Sequence, residues 1–169
     1  MDQELARILD ETIQLELSVA DLYLSFGQAF SEDKDFWSHL AVEENNHAAL
    51  LRSGKLESLD KGQFPANVLT TNLDALIKIN REIKALVKEH KQKPPSRASA
   101  FEIAIKVEES TGEIDFSCFM EQVADSLALQ LFSRVNREDR DHARRLRNYM
   151  REKGIGIPGT LAEGQDNIG

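Results

Sequence analysis

Two short stretches of this chain place a carboxylate three residues ahead of a histidine: Glu43-Glu44-Asn45-Asn46-His47 and Asp139-Arg140-Asp141-His142. On an α-helix, positions i and i+3 share a face with Cβ atoms ~5–6 Å apart, close enough to hold one metal ion or two adjacent ones. A single pair of this kind is ordinary on an exposed helix; the register of these two is not. Trp37, Leu40, Glu44, His47 and Leu51 step by three and four, and so do Phe132, Val135, Asp139, His142, Leu146 and Tyr149. That rhythm marks the buried seam of a packed helix. The carboxylates and imidazoles therefore stand where leucine is expected. A charge there costs several kcal/mol unless it is paired or bound to metal.

The elements that must position these groups follow from the same periodicity. Residues 2–30 read as one long helix with Ile13, Glu16, Ala20, Tyr23, Gly27 and Phe30 in its seam, which adds Glu16 to the set. Ser31, followed by Glu32, Asp33 and Asp35, predicts an N-cap and a favourable negative charge for a second helix over about 32–53, with Gly54 to stop it. So short a connection makes the two helices an antiparallel hairpin. A polar loop over 55–66 ends at Pro65. An amphipathic stretch over about 68–91 follows, with Leu69, Leu73, Leu76, Ile79, Ile83, Leu86 and Val87 on one side and no carboxylate in that stripe. It reads as a connecting helix that packs on the bundle or on a second subunit.

Lys93-Pro94-Pro95-Ser96 breaks the chain. The next long helix is expected over about 97–122, where Ile105, Glu109, Gly112, Phe116, Phe119 and Val123 place Glu109 in the seam with Glu108 beside it. The last runs over about 124–153 and closes at Gly154, leaving 154–169 as a flexible glycine-containing tail. Glu16 with Tyr23 in the first half is echoed by Glu109 with Phe116 in the second, as in a duplicated helix hairpin.

Composition agrees with an all-α, single-domain chain: 169 residues, 30% charged and only 7% aromatic. The net charge of −8, without a Lys/Arg cluster, argues against a nucleic-acid partner. No apolar run is long enough to span a bilayer and the N-terminus is not signal-like, so a cytoplasmic protein without a membrane partner is expected. The lone Cys118 excludes an intramolecular disulfide or a Cys-x-x-Cys knuckle, and between Phe116 and Phe119 it reads as a small core residue. His39 and His90 read as solvent-facing or edge-packed, with no partner at a useful spacing.

Together the four seams bring Glu16, Glu44, His47, Glu109, Asp139 and His142 into one core. A glutamate from each of two helices, plus a carboxylate-x-x-His from each of the other two, is the di-metal arrangement of ferritin-like bundles. The four carboxylates would repel in a dry core, whereas two divalent cations cancel their charge. Mixed oxygen and nitrogen donors suit iron or manganese better than zinc. Tyr23, in the same seam, reads as a packing residue or as a hydroxyl that hydrogen-bonds a ligand carboxylate.

The chain resembles the rubrerythrin-like branch of the ferritin-like superfamily. The first hairpin carries the likeness best, through Glu16, Tyr23 and the run Phe36-Trp37-Ser38-His39-Leu40-Ala41-Val42-Glu43-Glu44-Asn45-Asn46-His47-Ala48. It implies a four-helix bundle of two hairpins joined by an additional helix, and a di-iron centre that reduces peroxide or reacts with dioxygen. It also implies that the six seam residues are the ligands, with Glu16 and Glu109, or Glu44 and Asp139, bridging. Asp139 stands where the family carries glutamate, and Gly112 where rubrerythrins carry a further one, Glu113 being the nearest substitute. One cysteine cannot build a rubredoxin module, so electrons would come from a separate donor protein. A homo-oligomer, in first place a dimer, is the expected assembly. Two other readings stay open: an iron-binding, ferroxidase or iron-detoxification protein, and a metal-free helical interaction bundle.

Overall fold

A computed structural model describes residues 3–61, 73–112 and 141–156. All the regular structure among them is helical: α1 (Gln3–Ala29), a 3-10 turn (Ser31–Asp33), α2 (Lys34–Lys61), α3 (Leu73–Gln92), α4 (Arg97–Gly112) and a terminal helix, α5, over 141–152. No helix among the described residues is long and apolar enough to cross a membrane.

α1 and α2 form an antiparallel hairpin: Asp10 meets Lys55, Glu16 meets His47 and Tyr23 meets Trp37. Gly27 lets the two backbones approach closely, because a Cβ there would lie 3.3 Å from that of Trp37. The entry to α2 differs from the sequence expectation. Ser31 opens a 3-10 turn, its preceding residue Phe30 makes no side-chain cap, and Asp33 is buried instead. Gly54 does not end α2, which continues to Lys61 with Gly54 buried inside it. A mid-helix glycine costs only about 1 kcal/mol, which burial of a packed face outweighs.

α3 runs parallel to α1. Its stripe of Leu76, Asn80, Ile83, Val87 and His90 is buried. Asn80 Nδ2 donates to the backbone oxygen of Glu11 at 2.8 Å and to its carboxylate at 2.7 Å, while His90 lies against Phe26. The amphipathic connector thus packs on the bundle, and His90 is not solvent-facing.

α4 runs parallel to α2, since Arg97 pairs with Asp33 and Phe101 packs on Trp37. α5 returns antiparallel to both, with Tyr149 beside Phe36 and Asp33 and His142 beside Glu43. The order of the four bundle helices is up, down, down, up, with α3 carrying the chain back between the hairpins. α5 ends where Gly154 takes a left-handed conformation (φ 63°) and the Ile155 amide donates to the Met150 carbonyl at 2.8 Å. Gly154 therefore closes the helix as the sequence predicts. The expectations for residues 62–72, for 113–140 and for the tail from 157 onward, Cys118 included, lie outside the described residues.

Candidate metal centre

Each helix delivers its side chain because large apolar neighbours one turn away fix its rotation. On α2, Trp37, Leu40 and Leu51 are fully buried, and Glu44 and His47 fall between them on the same face. Glu16 is carried inward on α1 by Ile13, Ala20 and Tyr23. On α4 the buried positions are Ala100, Phe101, Ala104, Val107 and Glu108. On α5 they are His142, Ala143 and Leu146.

The structure therefore brings Glu16, Glu44, His47 and His142 together as expected, but corrects the contribution of α4. Glu108 enters the centre; Glu109 turns outward, half-exposed, and pairs with Arg147 on α5. Ile105, which set the expected seam, is only partly buried, whereas the true seam runs through two alanines. A stripe of Phe101, Ala104 and Glu108, stepping by three and four from the bulkiest apolar residue, was the available signal. Asp139 lies outside the described residues, and nothing there bears on its role.

The buried groups form two overlapping triads. Glu16, Glu44 and His47 make one, and Glu44, Glu108 and His142 the other; in each, one ligand atom per residue lies within 4.8 Å of the others. His47 Nδ1 is 3.5 Å from Glu16 Oε2 and 3.3 Å from Glu44 Oε2. His142 Nδ1 is 2.7 Å from Glu44 Oε1 and 3.6 Å from Glu108 Oε1. The two imidazole planes are nearly parallel, 5.5 Å apart at their centroids and inclined by 15°. Glu44 thus turns one oxygen to each histidine. Among the described residues expected to bridge, Glu44 alone faces both rings.

Tyr23 hydrogen-bonds Glu108 Oε1, which sets that carboxylate's orientation. His142 Nε2 lies 3.0 Å from Glu43 Oε2, and Arg145 Nη1 donates to the same oxygen at 2.6 Å. Sequence reasoning left Glu43 unassigned. It is the acceptor on one nitrogen of His142 that turns the other nitrogen inward. His39 is exposed, and His90, although buried, has no hydrogen-bond partner at either ring nitrogen among the described residues.

Burial pushes the Glu16 carboxyl up to about 8, with the neighbouring Glu44 charge adding to the rise and His47 opposing it. Burial works against charging His142, but the Glu108 and Glu44 carboxylates outweigh it and hold the imidazolium up to about 10. Protons thus take the place that cations would fill. Two of the inward-facing atoms also lack a directional partner. Glu44 Oε1 and His142 Nδ1 are buried and 2.7 Å apart, yet the contact lacks the directionality of a hydrogen bond. Two such atoms aimed into a common space, with carboxylates and imidazoles as the donor set, fit a divalent metal ion in each triad.

Compared with protein-family models, with curated proteins and with solved structures, the chain finds no match.

Proposed function

We propose that this chain is a di-metal carboxylate protein, with iron as the first candidate and manganese as the second, acting as an oxidoreductase toward peroxide or dioxygen. The observation that carries the reading is Glu44, fully enclosed and shared between two carboxylate–histidine triads. An up-down-down-up bundle with one crossover helix, holding its ligands in the core, supports a ferritin-like architecture of the rubrerythrin-like kind.

In this reading Glu16 and His47 would hold one ion and Glu108 and His142 the other, with Glu44 available to both. Asp139 is a further ligand on the strength of its position in the sequence. The chemistry such a metal pair would supply is electron transfer to a peroxide or dioxygen, with a separate protein as the source of the electrons. The residues around it do the rest. Trp37, Leu40, Leu51 and Phe101 exclude water and so strengthen every charge interaction inside. Glu43 and Arg145 fix the ring of His142, and Tyr23 fixes Glu108. Glu16 holds a proton at its carboxyl near neutral pH until a cation displaces it.

Metal analysis of protein purified from iron-supplied cells should find about two ions per chain. Stopped-flow mixing of the reduced protein with peroxide, and separately with dioxygen, then identifies the oxidant. Protein that carries no metal and takes none up on reconstitution would overturn the proposal. It would leave the mutual pairing of these residues in a metal-free bundle as their role.

A further inference from the structure

The rings beside the centre form a continuous row that runs on beyond it. Tyr23, fully buried, hydrogen-bonds Glu108 and packs on Trp37 with centroids 5.6 Å apart. Trp37 lies 4.4 Å from Phe101 and 5.7 Å from Phe36. Phe101 stacks on Tyr149 at 5.6 Å, and Phe36 stacks on it at 4.0 Å. Tyr149 is only partly buried, and its hydroxyl donates to Asp33 Oδ1 at 3.0 Å. The row thus begins at a ligand carboxylate and ends at the surface, on helices α1, α2, α4 and α5.

We infer that Tyr23, Trp37 and Tyr149 carry single electrons between the buried centre and a one-electron donor at the surface of α5. The inference rests on the di-metal reading only for what lies at its inner end. Tyrosine and tryptophan are the side chains in this row that can be oxidised reversibly. Each tyrosine here has a carboxylate already bonded to its hydroxyl, so its proton has somewhere to go when the electron leaves. Phe36 and Phe101 are too hard to oxidise to take part themselves; they pack Trp37 and Tyr149 into one stack that an electron crosses in a single step. The balance is simple. With peroxide or dioxygen as the terminal oxidant at the centre, Tyr23 gives up an electron inward as its proton shifts to Glu108 Oε1, then regains both, the electron from Trp37. Trp37 is refilled by Tyr149, whose proton moves to Asp33 and returns when the surface donor supplies its electron. Overall, one electron leaves the donor and one reaches the centre, and no other bond changes.

The chain contains two tyrosines and one tryptophan, so the test is unambiguous. Metal-free protein is photo-oxidised from solution with tris(bipyridine)ruthenium(II) and persulfate, freeze-quenched, and read by electron paramagnetic resonance. The difference between wild type and Tyr23→Phe gives the radical yield at buried Tyr23. The row predicts a clear Tyr23 radical in wild type and at least a several-fold fall in both Trp37→Phe and Tyr149→Phe. A wild type without a Tyr23 radical, or a yield that stays at the wild-type level in either folded variant, overturns it. Should Trp37→Phe fail to fold by circular dichroism, the conservative Tyr149→Phe decides alone. Metal content is measured on the same proteins. Metal absent from wild type would remove the di-metal reading while the radical measurement still stands or falls by itself.

Discussion

Two layers of the same four helices differ in how their polar groups are satisfied. In the layer of Phe36, Trp37, Phe101 and Tyr149, the one buried charge among the described residues is Asp33, and it is fully answered. Arg97 binds it through Nε and Nη2 at 2.7 Å each, and Tyr149 donates to it at 3.0 Å. Around Glu44, carboxylates and imidazoles crowd one another, take up protons and leave atoms without directional partners. The first layer is built for stability in the protein as it stands. The second would reach low energy, in the proposed reading, by binding cations.

The largest effect should come from breaking the satisfied layer. Arg97→Ala leaves the Asp33 carboxylate buried with only Tyr149 to answer it, so unfolding should become easier by about 3 kcal/mol. Chemical denaturation with and without metal checks this, and the loss should be the same in both. A change well below 1 kcal/mol would mean that the clamp is a surface ion pair in effect.

In the other layer the sign should depend on metal. His47→Leu puts an apolar side chain of similar bulk among Glu16, Glu44 and the core, so metal-free protein should be unchanged or more stable by about 1 kcal/mol. With metal the same variant should be less stable than wild type, having lost a ligand. Equal destabilisation in both states would make His47 a structural residue.

The pH dependence sharpens the contrast. Folded Glu16 titrates at about 8 against an ordinary 4.5, and folded His142 at about 10 against 6.5. Both folded-state values are raised, so the folded protein binds more protons than the unfolded chain and stability falls as pH rises. For metal-free protein the Glu16 contribution is lost between pH 4.5 and 8, and that of His142 between 6.5 and 10. Metal affinity should move the other way, rising over the same range as protons leave the ligands. Thermal melts across pH, with chelator and with manganese, test both slopes.

Adjacent glutamates give the smallest expected effect and the sharpest contrast. Glu108→Gln should lower metal content, because it touches His142 and Tyr23. Glu109→Gln should leave metal content unchanged and alter stability by no more than about 0.5 kcal/mol, since it loses only an exposed pair with Arg147. Metal analysis of the two purified variants settles which one serves the centre.

That pair also shows how much the sequence disclosed. On α2 the seam was legible, because Trp37, Leu40 and Leu51 bracket Glu44 and His47 with bulky apolar residues that fix the rotation. Glu16 and Tyr23 were legible for the same reason. α4 buries Ala100 and Ala104 instead, small residues with little hydrophobic signal, and a partly buried Ile105 drew the expected face one residue away from the true one. Gly54 misled in another way: glycine is a common helix stop, but here it is buried inside α2. Neither the clamp on Asp33 nor the role of Glu43 could be read locally. Both depend on partners from α4 and α5, distant in the chain and aligned only by packing.

The most direct test of the central claim is anomalous diffraction from crystals of the iron-loaded and manganese-loaded protein, with data at each metal's absorption edge. A di-metal centre gives a pair of peaks on either side of the Glu44 carboxylate, one nearer His47 and one nearer His142, with Glu108 and not Glu109 in contact. Crystals grown with metal that show no anomalous peak within reach of Glu44 would contradict it.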